Sequence, residues 1–203
     1  MFDTVIARAK GLLMNPVGTF QASRDDTAKT VFSYFGVLLV FNAILTAVIS
    51  AITFTALGAL GLYRGMMPAF GMGFVVLMPV LVFVMILVFG TIFTLVFGAW
   101  VHLWACILGG KNGIMQTMKV IVYGMTPSLA FGWIPGIGIL FAIWSFILDI
   151  LGIRELAGLS TERAALAMII AVVIPLIILV YLIVVFYLPF LHSAMAMTPR
   201  AGY

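Results

Sequence analysis

Apolar residues in this chain come in long runs separated by short polar punctuation, and the lengths of the runs set the expected architecture. Near the amino terminus Phe2, Val5, Ile6, Ala9, Leu12 and Leu13 follow the i, i+3, i+4, i+7 spacing of one helix face, with Asp3, Arg8 and Lys10 off it. Asn15-Pro16 ends the pattern. The reading is a short amphipathic helix lying in a membrane interface, with capping of a helix bundle as the alternative. Asp25, Asp26 and Thr27 then offer good helix-start chemistry, and a first spanning segment is predicted over residues 31–60. A loop with Gly61, Arg64, Gly65, Pro68, Gly71 and Gly73 follows.

The second apolar run, residues 74–108, would make about 52 Å of helix against a hydrocarbon core of roughly 30 Å. It is either one long tilted or kinked helix or a hidden hairpin. Three more segments are predicted at 113–131, 136–152 and 161–189. The third and fourth are short, and Pro127, Gly132, Pro135, Gly136 and Gly138 crowd their junction. A re-entrant hairpin therefore stays open beside two full spans.

Composition makes the solvent clear. Of 203 residues, 65% are hydrophobic and 8% charged, against roughly 45–50% and about 25% in soluble domains. No soluble core of this size hides so much apolar surface, so the chain is expected to be an integral membrane protein. Charge then decides the number of spans. Five helices place Arg8, Lys10, Arg24, Lys29, Lys111, Lys119, Arg154 and Arg163 on one side and leave Arg64 and Arg200 on the other. Splitting the second run would move Lys111, Lys119, Arg154 and Arg163 across, against the positive-inside rule.

The expected fold is thus an all-α, polytopic bundle of five transmembrane helices in the cell membrane, with a cytoplasmic N-terminus and an outer C-terminus. Residues 1–30 form a cytoplasmic segment with the amphipathic helix, 31–190 the membrane domain, and 191–203 a short outer tail. A secretory signal is not expected, because no apolar run follows the first basic residues and Asp25-Asp26 intervenes. The basic balance (+4) would suggest nucleic acid in a soluble protein. Here the cations sit between apolar runs, so the expected partners are anionic lipid headgroups at the cytoplasmic face, and not nucleic acid.

Small residues recur every four positions at Ala43, Ala47, Ala51, Thr55 and Ala59, and again at Gly90, Thr94, Gly98, His102, Cys106 and Gly110. Such stripes let helices approach closely in lipid. The simplest expectation is that they face each other within one chain, with homo-oligomerisation as the alternative. His102, Tyr123 and Asp149 are polar residues inside apolar runs, each several positions from a cytoplasmic boundary. They form a candidate intramembrane cluster for a proton or cation path. The plainer reading is local pairing, with Asp149 against Arg154 or Lys119. Trp100 and Trp104 fit anchors at the inner interface and Trp133 at the outer.

Enzyme and metal signatures are missing: no H-E-x-x-H, C-x-x-C, G-x-S-x-G or Walker A loop. One cysteine and two histidines, His192 being expected far outside from His102, speak against a zinc site. No catalytic residue, metal or cofactor is expected.

Two stretches carry a family resemblance. One runs from Gly109 and Gly110 to Tyr123, Gly124 and Pro127; the other holds Arg154, Glu155, Gly158, Ser160 and Arg163. In this order and spacing they resemble the Yip-domain family of five-helix membrane proteins. Its eukaryotic members interact with Ypt/Rab GTPases and serve vesicle transport between endoplasmic reticulum and Golgi. The resemblance covers about residues 15–190 and implies five helices with a cytoplasmic N-terminus. The longer N-terminal region with its Asp-Leu-Tyr-Gly-Pro motif has no counterpart here, which puts a Rab-type partner in doubt and points to a short prokaryotic-type member. The leading expectation is a non-enzymatic protein that organises partner proteins or lipids in the bilayer. The alternative is a small ion- or proton-coupled transporter or channel using His102, Tyr123 and Asp149.

Overall fold

With no water to bond a bare backbone, a chain this apolar must satisfy its peptide groups internally. Helices do this. The computed structural model describes residues 2–61 and 67–189, with side chains at 3–61 and 77–189. Arg64, Gly65, His192, Arg200 and the tail 191–203 lie outside the described residues. Eight helices follow in order: α1 (Phe2–Met14), α2 (Pro16–Ala22), α3 (Ala28–Ala59), α4 (Met67–Ile107), α5 (Ile114–Gly124), α6 (Thr126–Phe131), α7 (Gly138–Ala157) and α8 (Thr161–Leu182). Beyond α8 the chain continues as a π-helical turn, Ile183–Tyr187. No strand occurs among the described residues.

Several boundaries differ from expectation, each for a local reason. Asn15-Pro16 stops α1 but also starts α2, because Asn15 accepts the Gly18 N–H and Pro16 needs no partner for its missing one. α4 is one unbroken helix, and it begins early enough to take in Pro68, Gly71 and Gly73, which were expected in a loop. The 113–131 segment is two helices rather than one, broken at Met125 just before Pro127. α7 runs five residues past Gly152 and ends at Gly158, whose φ of +71° supplies the left-handed cap. Arg154 and Glu155, expected in a loop, therefore sit on its last turn.

Ala28–Ala59, Leu77–Ile107 and Thr161–Tyr187 are long and apolar enough to cross a membrane. α7, with 20 residues, has the length but also carries Asp149, Arg154 and Glu155. α3 packs on α4, α5 on α7, and α8 against α4 and α7. The dense core, including Leu12, Phe20, Tyr34, Tyr123 and Leu148, lies toward the end where α3 starts and α4 ends. At the other end Val48 and Ile52 of α3, and most of α8 from Leu176 onward, turn apolar side chains outward.

The small-residue stripes divide their work. A Cβ on Gly90 would stand 2.9 Å from Leu39 of α3, so this glycine lets the two long helices approach. One on Gly98 would meet Met118 of α5 at 2.6 Å, and Thr94 reaches Met125. On α3, Ala43 is buried, Ala47 and Ala51 are half-buried, and Thr55 is exposed.

Pro79 lies inside α4; Pro175 and Pro127 each free a carbonyl in apolar surroundings, and both of those carbonyls are taken. Pro175 has no N–H to give Ala171, four residues earlier; the Trp100 indole of α4 donates to that oxygen at 2.9 Å instead. Pro127 likewise leaves the Tyr123 carbonyl without its helical donor. The Thr126 hydroxyl donates to it at 2.6 Å and also lies 2.8 Å from the Tyr34 hydroxyl of α3. Asn42 of α3 donates to the Leu129 carbonyl at 3.0 Å, near the end of α6. Each repair also ties one helix to another. Trp100→Phe should therefore cost about 1–3 kcal/mol by stranding the Ala171 oxygen. Pro175→Ala restores the missing donor, so adding it to Trp100→Phe should recover most of the loss. Thermal unfolding of the purified protein in mild detergent checks both.

Candidate functional site

The link between α2 and α3 gathers the polar chemistry of the bundle. α2 is anchored by Phe20, fully buried against Gly152 of α7, where any added Cβ would lie 2.9 Å from the Phe20 ring. The chain then turns through Ser23, whose hydroxyl donates to the Phe20 carbonyl at 2.8 Å. Thr27 caps α3 by accepting the Thr30 N–H at 3.2 Å. Between them Arg24 and Asp26 meet three other helices.

Asp26 is bound from two sides. Arg8 of α1 forms an ion pair with it at 2.7 Å, and the Tyr123 hydroxyl of α5 donates to it at 2.5 Å. The Arg8 guanidinium also lies 5.1 Å above the Tyr123 ring, a cation–π placement. Tyr34 meets that ring edge-on, with centroids 5.2 Å apart. One carboxylate thus joins α1, the α2–α3 link and α5.

Arg24 works through both its ends. Its carbonyl accepts from Gln116 at 3.1 Å and from the Lys119 ammonium, while its guanidinium donates to the Glu155 carbonyl at 2.8 Å. Lys119 is 3% exposed, so that carbonyl, close to the negative end of α2, is what receives its charge. Glu155 accepts from Gln21 at 2.8 Å and pairs with Arg154 at 2.7 Å.

The family-motif positions noted above build this junction and its turns. Tyr123 and Glu155 are the bonded groups just described. Gly109 turns the chain at φ +99° beside Arg163, and Gly110 closes on the Ala105 carbonyl with no room for a side chain. Ser160 caps α8 by accepting the Arg163 N–H, and Pro127 opens α6. Asn112 donates to the Leu156 carbonyl near the end of α7.

His102, Tyr123 and Asp149 have separate surroundings. His102 lies 2.9 Å from the Thr117 hydroxyl and 3.5 Å from the Cys106 sulfur. Tyr123 reaches Asp26. Asp149 is buried against Gly124, and its Oδ1 has no hydrogen-bond partner among the described residues. No hydrogen bond joins any two of the three within those residues, nor do three His, Cys, Asp or Glu side chains gather there as a metal site would require. Asp149 also makes no ion pair with Arg154 or Lys119: Arg154 turns to Glu155 and Lys119 to Arg24. Arg8, Arg24, Asp26 and Tyr34 were not singled out as a site from sequence. Arg8 and Asp26 are 18 positions apart, and Asp26 carried only the plainer signal of a helix start.

Gly124 gives the tightest test of this packing. A Cβ there would collide with the Asp149 carboxylate, so Gly124→Ala should destabilise the protein by about 1–3 kcal/mol. Gly124→Ala combined with Asp149→Ala should lose less than Gly124→Ala alone. The midpoint of thermal unfolding in detergent reads both.

No curated protein and no solved structure matches the chain. The Yip1 domain family matches it over residues 10–184, which takes in α2, α3, α4, α5, α6, α7 and α8 but only the end of α1, so Arg8 lies outside the matched range. The chain therefore belongs to the Yip1 domain family and is a multi-pass membrane protein.

Proposed function

We propose that this is a non-enzymatic, five-span membrane protein that organises partner proteins or lipids at the cytoplasmic face of the cell membrane. In this reading α3, α4, the α5–α6 pair, α7 and α8 are the spans, the N-terminus is cytoplasmic and the C-terminus outer, and α1 lies along the interface. One observation carries it. Where α3 starts, α4 ends, α5 starts and α7 ends, the charges divide into two sets. Arg8 and Arg154 are paired inward with Asp26 and Glu155. Lys10, Lys29, Lys111 and Arg163 are exposed and make no ion pair among the described residues, and these four cations outnumber the three exposed, likewise unpaired carboxylates nearby in the chain, Asp3, Asp25 and Glu162. The inner set holds the fold, and the outer set offers a basic surface to anionic headgroups or an acidic partner.

Helix direction supports an out-and-back pair after α4, which two spans or a re-entrant hairpin both provide. Residues 116–119 lie beside Arg24 and Leu129 beside Asn42, so α5–α6 rises alongside α3. Asp149 meets Gly124 and Glu155 meets Arg24, so α7 returns. Lys111, Arg154 and Arg163 then share one side with Lys10 and Lys29, as the positive-inside rule asks.

The test is gentle purification from native membranes with mass spectrometry of the retained proteins and lipids. Wild type should keep a stoichiometric protein or an enriched anionic lipid. The triple variant Lys10→Gln, Lys111→Gln and Arg163→Gln should lose at least about tenfold of that retention while staying folded. A lone protein with bulk lipid only would overturn the proposal. Ion flux in reconstituted vesicles that disappears in His102→Ala and Asp149→Asn would replace it with the transport reading, which draws on the unpartnered oxygen of Asp149.

A further inference from the structure

α1 crosses close to the start of α3 without packing along it, and an apolar groove of about 750 Å³ opens between them. Val5 and Ile6 form one wall, and Val40, Phe41 and Ile44 of α3 the other. Gly36 lies in the floor, and nothing stands within 4 Å of where its Cβ would be. Ile6 is 64% exposed and Ile44 48%, so these walls face outward, open to an occupant.

The groove does not end in open space. At its α3-start end it continues, through the shared residues Val5 and Ser33, into a smaller pocket of about 260 Å³. That pocket is edged by Thr4, Arg8, Lys29, Thr30 and Ser33. Arg8 is already neutralised by Asp26, so the net positive charge at the mouth comes from Lys29. Lys29 is exposed and has no ion pair among the described residues. The Thr4 and Ser33 hydroxyls likewise make no hydrogen bond within them. The mouth therefore combines one uncommitted cation with uncommitted donors, which is what a phosphate ester requires.

Length settles the rest. Ser33 to Ile44 spans about 16 Å of helix at roughly 1.5 Å per residue, half of a hydrocarbon core of roughly 30 Å. The groove is one leaflet deep, with its polar mouth at the headgroup level. We propose that it seats a single anionic phospholipid, the headgroup phosphate at Lys29, Thr4 and Ser33 and one acyl chain along Gly36, Val40 and Ile44. The site rests on the lipid-organising reading and gives it a place: the lipid fills the gap between the N-terminal helix and the first span.

The test uses the full chain reconstituted in vesicles of equal parts phosphatidylglycerol and phosphatidylcholine, released in mild detergent and weighed by native mass spectrometry. Wild type should retain one phospholipid per chain, with phosphatidylglycerol enriched about fivefold, the effect of one lysine at an anionic surface. Gly36→Phe puts a ring into the groove from a position where the added Cβ meets nothing, and should abolish retention at unchanged thermal stability. Lys29→Gln should keep a retained lipid but lose its headgroup preference. Retention unaffected by Gly36→Phe, or enrichment unaffected by Lys29→Gln, overturns the proposal. The Lys10, Lys111 and Arg163 triple variant leaves Lys29 in place and should keep the one seated phospholipid, so failure of the seated lipid is distinguished from failure of the wider organising role.

Discussion

Every peptide group inside a bilayer must find a partner within the protein, and this chain places prolines where that rule bites hardest. Pro175 strips the Ala171 carbonyl of its donor, and Pro127 does the same to Tyr123. The repairs come from Trp100 on another helix and from Thr126, which is itself bound to Tyr34 on α3. Helices that would otherwise attract each other only through weak packing are thus joined by hydrogen bonds that cannot be exchanged for water. The tertiary structure follows from the defects in the helices as much as from their apolar faces.

The second repair leads directly to the polar junction. Tyr123 accepts from Thr126 through its carbonyl and donates to Asp26 through its hydroxyl, and Asp26 holds Arg8 of α1. A continuous path therefore runs from the broken third segment to the N-terminal helix. It also sorts charge: cations drawn into this network become structural, and those left outside form the basic surface on which the proposed function depends. Gly109, Gly110, Gly158 and Ser160 shape turns beneath that surface.

Much of the helical plan was legible because residues 31–60 and 161–189 are long apolar runs with clear polar borders. The segments that misled had punctuation with two meanings. Pro16 stops one helix and starts another, and Gly152, read as an end, is a seat for Phe20. The junction was least legible. Nothing local marks Arg8 and Asp26 as partners, because their meeting depends on α2 folding α1 back toward α5. Tyr123 stood out as a polar residue in an apolar run, but its partner lay in the link before α3 and in neither His102 nor Asp149.

Asp26 holds the N-terminal helix to the bundle through Arg8 and Tyr123. Hydrogen exchange of the full chain in lipid nanodiscs, wild type against Asp26→Asn, measures this directly. The α1 amides should lose at least about tenfold of their protection in the variant, the loss of roughly one charge-assisted hydrogen bond, while α3 and α4 keep theirs. Unchanged protection of α1, or uniform loss across all the helices, would contradict that role of Asp26.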